Sequence, residues 1–388
     1  MMKKWIQNLV IMLISLTAGL IILELAAKIY LENIAGEKTF KQYASYRQLE
    51  RRMGRSQYSQ HRYLGYIPTP DYHRGKNRHN SLGYRGGEFS RHKPPGEFRI
   101  ACIGGSTTYT RDVEDYRLSY PALLEKELRE RGYPRVRVIN AGVDGYGSWE
   151  SLINFQFRIL DLDPDLIIVY HAVNDIYARM VWPPSAYRGD NSGRRISNCS
   201  SEMIDKPSIM QHFNLGRILL VRLKIRPPIY DITARHSVVP ETYYGRRFYL
   251  QKMKHVYPRG LFEEIRAMRM LRVNRPIYFQ RNLENLVTLA RANGVEVVLA
   301  TFAHSPLFKD HPQAVSREFQ WGFAEHNQIL EEIAQSQEAH LFPFADRFPE
   351  DRKYYVDGRH VNVRGSRLKA RLFAQYLEEN QLLPRGGH

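Results

Sequence analysis

Apolar residues fall into three regimes along the chain, and each regime predicts a different kind of structure. The first is an unbroken run from Trp5 to Ala27, WIQNLVIMLISLTAGLIILELAA, whose 23 residues carry a single charge, Glu24. About 20 apolar residues cross the hydrocarbon layer as a helix, so the run predicts one N-terminal transmembrane helix at 5–27. Trp5 and Tyr30 flank it as interfacial aromatics. The competing reading is a cleaved signal peptide. Leu25-Ala26-Ala27 is a poor small-x-small site, which favours a retained anchor. Lys3 and Lys4 on a four-residue tail orient the N-terminus inward and place the rest of the chain outside the cytoplasm. The expected location is the inner membrane, single-pass, with a periplasmic domain.

The second regime, residues 28–95, has few periodic apolar positions and many Arg, Gln, Tyr and Gly residues. It predicts a stalk and a segment wrapped onto something larger. The third regime starts near residue 96, where short apolar runs alternate with amphipathic stretches, as in a parallel α/β sheet. The runs are Arg99–Ile103, Val136–Ile139, Leu166–Tyr170, Val295–Ala300 and, more weakly, His340–Pro343. Helices are expected at Ser119–Arg131, Ser148–Leu160, Ile277–Ala292, Phe319–Gln335 and Gly365–Glu379, with Ser119 and Ser148 as N-caps. The expected fold is α/β, a three-layer α/β/α sandwich of about five parallel strands, over residues 96–388. The rhythm breaks at about 178–280, an insertion between the third and fourth strands.

Charge sharpens that last point. The chain holds 57 Lys plus Arg against 40 Asp plus Glu. The insertion alone holds 19 basic against 7 acidic residues, a net of +12 out of the total of +17. Tyrosines interleave there with arginines, as in Tyr243-Tyr244-Gly245-Arg246-Arg247. Tyr244, Arg246 and Arg247 are candidate substrate contacts, able to hold a sugar or an acidic polymer by stacking and charge. A membrane-facing surface attracted to anionic headgroups explains the same composition equally well. Nucleic acid is not an expected partner, because the basic segment lies outside the cytoplasm. Only Cys102 and Cys199 occur, so neither a disulfide framework nor a cysteine zinc site is expected, and no cofactor or metal is implied.

Candidate chemistry sits in the loops after the strands, where a parallel sheet binds ligands. The first strand leads into Gly104-Gly105-Ser106-Thr107-Thr108, the second into Asn140-Ala141-Gly142-Val143-Asp144-Gly145-Tyr146-Gly147, and the third into His171-Ala172-Val173-Asn174-Asp175. Val356-Asp357-Gly358-Arg359-His360 precedes the last helix. A nucleophilic serine needs a base, an acid that orients the base, and donors for the oxyanion. Ser106, His360 and Asp357 match the first three roles. The N–H groups of Ser106 and Gly142 and the amide of Asn174 match the last. His171 and His304 read as site-lining or structural, the structural reading being favoured. Asp161-Leu162-Asp163-Pro164-Asp165 reads as a turn, and Cys102 as a core residue.

These four blocks, in this order, resemble the SGNH (GDSL-type) hydrolase superfamily. That resemblance implies a serine nucleophile at Ser106, an oxyanion hole at Ser106, Gly142 and Asn174, and Asp357 with His360 completing the triad. Gly105 replaces the aspartate of the GDS signature, as in a GGST-type subset, and Ala172 replaces a glycine of the third block. Asn80-Ser81-Leu82-Gly83-Tyr84-Arg85-Gly86 is similar to membrane-anchored bacterial members linked to cell-surface glycans. The expected function is a membrane-anchored esterase or acyl transferase acting on O-acyl groups, acetyl foremost, of a cell-envelope or exported polysaccharide. The alternatives are a lysophospholipase-like lipid esterase and a non-catalytic glycan-binding assembly component.

Overall fold

The computed structural model describes residues 2–45, 48, 51–52, 57–61, 63–191, 209–225 and 265–384. The chain divides into two units, residues 1–56 with 198–237 and residues 57–197 with 238–388. Most of the basic insertion, with Tyr244, Arg246, Arg247 and Cys199, lies outside the described residues.

In the smaller unit one helix runs from Met2 to Ile29 and passes into a π-helical turn, Tyr30–Ile34. It is longer than the expected 5–27: no proline interrupts the chain there, and the helix runs on through Gly19. The stretch from Lys4 to Ile34 is long and apolar enough to cross a membrane, and its most apolar window buries nothing against the protein. At its C-terminal end the helix enters a small core of Leu31, Ala35, Phe40 and Ala44, the last three from the turn and from the helix Glu37–Tyr43 and its cap. Tyr43 and Ile218 pack against that core. The helix Asn214–Arg222 completes the unit.

In the larger unit the wrapped-on segment forms two small hairpins. Tyr58–His61 (β1) pairs antiparallel with Gly65–Pro68 (β2), and His73–Arg74 (β3) with Asn77–Arg78 (β4). The main sheet follows: Phe98–Gly104 (β5), Val136–Gly142 (β6), Leu166–Tyr170 (β7), Glu296–Ala300 (β8) and His340–Phe342 (β9). All its pairings are parallel, and the spatial order is β6-β5-β7-β8-β9.

The apolar runs follow from burial of both sheet faces. Ile100 and Cys102, Leu166 and Ile168, and Val298 and Ala300 point into one core layer with Tyr120, Leu124, Phe373 and Leu377 of the flanking helices. Ala101 and Ile103, Ile167 and Val169, and Val297 and Leu299 point into the other with Leu283, Leu286 and Ile333. A strand covered on both sides has no solvent face on which to place polar residues. The helices are Tyr120–Glu130, Ile277–Ala292, Arg317–Ser336 and Val363–Glu379.

Two details differ from expectation, and a third agrees with it. The helix at Ser148 stays α only to Asn154, then widens to a π turn over Phe155–Ile159, which leaves both Phe155 and Ile159 fully buried. Ser119 stands at the N-cap of Tyr120–Glu130 as expected, though its side chain accepts no N–H there, and the N-cap of the next helix is Gly147 rather than Ser148. Ser119 Oγ donates back to the Tyr116 carbonyl, and Ser148 is already the first helical residue, with its N–H and Oγ both on Asp175. The Asp161–Asp165 stretch is a turn held by Arg91–Asp161 and Lys93–Asp165 ion pairs of 2.8 and 2.6 Å, with Asp163 at φ 49°.

Candidate active site

In the order β6-β5-β7 the chain leaves β5 with neighbours on both sides, so three loops open at one sheet edge at the point where the strand order reverses. The last residue of β5, Gly104, pairs with Gly142 on one side and Tyr170 on the other. Ser106 therefore begins its short helix, Ser106–Tyr109, beside both the β6 loop and Asn174. Gly105 makes the close approach possible: a β-carbon there would lie 2.8 Å from Asn174 Nδ2 and 3.0 Å from the Tyr146 carbonyl. Glycine at this position lets the Asn174 amide come up to the backbone beside Ser106.

Ser106 Oγ lies 2.7 Å from His360 Nε2, and His360 Nδ1 lies 2.8 Å from Asp357 Oδ2. A carboxylate only accepts, so Nδ1 carries the ring proton, and Nε2 is the acceptor for the Ser106 hydroxyl. Asp357 Oδ1 in turn accepts from the N–H groups of Arg359 and His360 at 2.9 and 2.8 Å, and Oδ2 from the Arg359 guanidinium at 2.8 Å. Burial pushes the Asp357 carboxyl up, but the hydrogen bond and charge of His360 and the Arg359 guanidinium outweigh it. The acid is held well below the usual carboxylate range and stays ionised.

Asn174 opens the helix Val173–Arg179, and its amide donates to the Tyr146 carbonyl at 2.8 Å. Its neighbour Asp175 turns the other way and accepts the N–H and Oγ of Ser148 at 2.9 and 2.6 Å. The two loops are thus tied together through adjacent residues. Ala172, in the glycine position of the third block, has φ −168°, extended backbone that alanine adopts freely.

Gly142, the expected oxyanion donor, also has a packing role. It is the last residue of β6, and its N–H donates to Asn140 Oδ1 at 3.2 Å. Its α-carbon is pressed against the backbone of Thr108 and Tyr109, leaving no room for a side chain. The glycine that turns the loop is Gly145, at φ 81°, which precedes the Tyr146 whose carbonyl receives Asn174.

Two participants were not singled out from the sequence. Asp112 Oδ2 lies 3.3 Å from His360 Nδ1, a second carboxylate on the ring nitrogen that Asp357 already holds. It stands six residues beyond Ser106, and an isolated aspartate on a loop gives no signal of that placement. The other is Arg85, buried in the segment noted for its glycan-linked resemblance. Its guanidinium donates to the carbonyls of Tyr109, Thr110, Val113 and Glu114 at 2.6, 3.0, 2.5 and 3.2 Å. Arg85 therefore fixes the chain between Ser106 and Asp112, and the wrapped-on segment builds one wall of the site.

His171 and His304 are structural. His171 is buried with Nε2 2.8 Å from Ser151 Oγ, and the His304 ring packs 4.7 Å from that of Phe323. Burial pushes His171 down to about 3, and burial likewise takes His79, on Tyr109 and Thr69, down to about 4. Both are neutral in the fold, whereas the unfolded chain protonates them near 6.5. The unfolded state binds more protons between those values, so stability is complete above about 6.5 and is lost as pH falls toward 4 and then 3. At about 1.4 kcal/mol per unit the loss is on the order of several kcal/mol. Thermal melts between neutral pH and pH ~4 should show it, and His171→Gln should flatten the slope.

Residues 102–368 match the GDSL-like lipase/acylhydrolase family across more than half of the chain, in the segment that carries Ser106, Asp112, Gly142, Asn174, Asp357 and His360. The chain belongs to that family. Its members act on esters, and the five-stranded parallel sheet agrees with the match. Solved structures with a similar fold include a lipase/acylhydrolase from Enterococcus faecalis, 13% identical, covering 75% of this chain and 100% of that one with a TM-score of 0.42. A GDSL-like lipase from Bacteroides thetaiotaomicron is 13% identical over 74% of this chain and 92% of its own, with a TM-score of 0.39. A variant of an acetyl-xylooligosaccharide esterase from Geobacillus is 14% identical over 72% and 93%, with a TM-score of 0.40. No curated protein matches the chain in sequence.

Proposed function

We propose that this GDSL-family protein is a membrane-anchored, extracytoplasmic serine esterase or acyl transferase acting on O-acyl groups, acetyl foremost, of a cell-envelope or exported polysaccharide. The observation that carries the proposal is the continuous relay from Ser106 Oγ through His360 to an ionised Asp357, with contacts of 2.7 and 2.8 Å. Ser106 Oγ attacks the ester carbonyl carbon while its proton passes to His360 Nε2. The carbonyl oxygen takes the negative charge, and the Ser106 N–H and the Asn174 amide receive it. Gly142 remains the proposed third donor; its N–H, at the end of β6, lies 3.2 Å from Asn140 Oδ1 when no substrate is bound. Collapse breaks the bond to the leaving alcohol, which takes the proton from His360. Water or a sugar hydroxyl then repeats the sequence on the acyl-serine, and Ser106 recovers its proton.

The polysaccharide assignment rests on the resemblance of Asn80–Gly86 to glycan-linked members and on the extracytoplasmic orientation expected from Lys3 and Lys4. Tyr244, Arg246 and Arg247 remain the proposed substrate contacts. The test is turnover by the full-length protein, in a bilayer, of acetylated oligosaccharides against lysophospholipids, with and without a sugar acceptor. Faster lysophospholipid hydrolysis would favour the lipid-esterase reading, and no turnover of either would favour the non-catalytic one.

Asn174→Ala should lower kcat about 10²- to 10³-fold with little change in KM, the effect of losing one oxyanion donor. Asp112 is a positioning residue, because it acts on substrate only through His360. Its charge favours the imidazolium, together with Asp357 and against Arg359, which lies on the same carboxylate; Asp144, pushed up by burial, and Arg111 complete the surroundings. Asp357→Asn should retain more activity than the Asp112→Asn, Asp357→Asn double variant, measured as kcat at one pH; equal activity in the two would show that Asp112 does not act on His360.

A further inference from the structure

The helix Asn214–Arg222 and its flanks carry an arrangement unusual for a protein surface in water. Two polar residues face inward: Asn214 and Arg217 are buried, at 8% and 5% exposure. Leu220 is buried and Ile218 packs on the small core, but Leu219 and, just outside the helix, Phe213, Leu223 and Ile225 face outward, exposed by 41%, 52%, 66% and 61%, with Ile209 in the preceding turn at 78%. Water-facing helices have the opposite arrangement, because buried polar groups must find partners and exposed apolar ones gain nothing from water.

The inward polar groups are fully engaged, and their partner is the anchor helix. Glu24, the single charge of the apolar run, accepts the Asn214 N–H and Nδ2 at 2.7 Å each and the Leu215 N–H at 2.9 Å. Arg217 donates to Asn214 Oδ1 and Gln48 Oε1 at 2.5 and 2.8 Å and to the Tyr43 carbonyl at 3.2 Å. Gln48 reaches back to Glu32 at 3.1 Å. Ionisable groups in a membrane behave this way, turned into the protein and paired with one another.

We infer that residues 209–225 are a second membrane element, lying in the lipid interface with Phe213, Leu219, Leu223 and Ile225 among the acyl chains beside the anchor. Its occupant is the bilayer itself, because the helix is docked through Asn214 and Leu215 on Glu24 of the helix Met2–Ile29, whose large apolar residues from Trp5 to Ile29 are exposed. Nine helical residues extend about 14 Å, too short to span, so the helix lies along the interface rather than through it. Arg222 and Lys224, both exposed, flank the apolar residues and can reach the headgroups. Glu24 is then neither a stray charge nor a signal of imperfect hydrophobicity, but the cap that docks this helix. A leader removed by a peptidase has no use for such a cap.

The inference rests on the retained-anchor reading, and one experiment separates the two. Full-length protein with Cys199→Ser carries a single added cysteine at Leu223→Cys, Leu219→Cys or Ile14→Cys. Cys102 stays unlabelled, since it is buried and burial pushes its thiol up to about 12. Each cysteine bears an environment-sensitive fluorophore in vesicles of phosphatidylethanolamine and phosphatidylglycerol. Labels at 219 and 223 should lose most of their emission to doxyl-labelled lipid and little to aqueous iodide. Quenching by iodide alone at both sites, with Ile14 in lipid, would overturn the inference and leave the anchor standing. Shielding from both quenchers would mean a protein covers the face, which also overturns it. An Ile14 label outside the lipid would instead overturn the anchor.

Discussion

Ser106→Ala is expected to abolish ester turnover and covalent labelling by a fluorophosphonate, with a loss of about 10⁴-fold or more in kcat. The fold should survive, because the hydroxyl's hydrogen bond is to His360 and it supports no core packing. The measurement is turnover by purified full-length protein beside a melting curve. Losing activity without losing the melt separates chemistry from stability. Wild-type turnover by the Ser106→Ala protein, free of contaminating esterase, would remove the triad assignment and the serine-esterase reading with it.

His360→Ala should be nearly as severe. The hydroxyl of serine stays protonated at neutral pH, and only Nε2 lies in place to accept its proton, 2.7 Å away. His360 also closes the chain to Asp357 and Asp112, so its loss leaves both carboxylates without their imidazole partner. Turnover should fall by a factor similar to that of Ser106→Ala, and the double variant should be hardly worse than either single one, because the residues act as one unit. Additive losses in the double variant would show that the two residues do not share a step.

The strand runs were legible because each of β5, β7 and β8 is covered on both faces, and such strands can only be written in apolar residues. Ser106, Asn174, Asp357 and His360 were legible for a related reason. Each stands just past a strand or just before the last helix, where small and polar residues interrupt an otherwise apolar text. Gly142 and Gly145 share one glycine-rich loop, and residue type alone does not distinguish a glycine needed for close backbone packing from one needed for a turn. The strand continuing to Gly142 decided that question. Asp112 and Arg85 were invisible in their roles, since contacts across 248 and about 25 residues leave no local pattern: the first is set by the return of the last loop to the sheet edge, the second by the hairpin segment folding over the nucleophile.

By itself the sequence determined the apolar N-terminal helix, the parallel α/β architecture and the candidate serine, histidine and acid, because burial on two sides, membrane length and strand-end loops all write themselves in residue type at short range. The tertiary structure decided everything that depends on long-range contact. It set which glycine packs and which turns, gave His360 a second carboxylate, and made Arg85 the support of the nucleophile loop. It also set the basic insertion's 209–225 stretch against Glu24 with Asn214 and Arg217 facing inward. In composition that stretch reads as one more apolar helix with scattered charges. Its meaning lies in which side faces the anchor, and only the placement of Asn214 and Arg217 on Glu24 fixes that side.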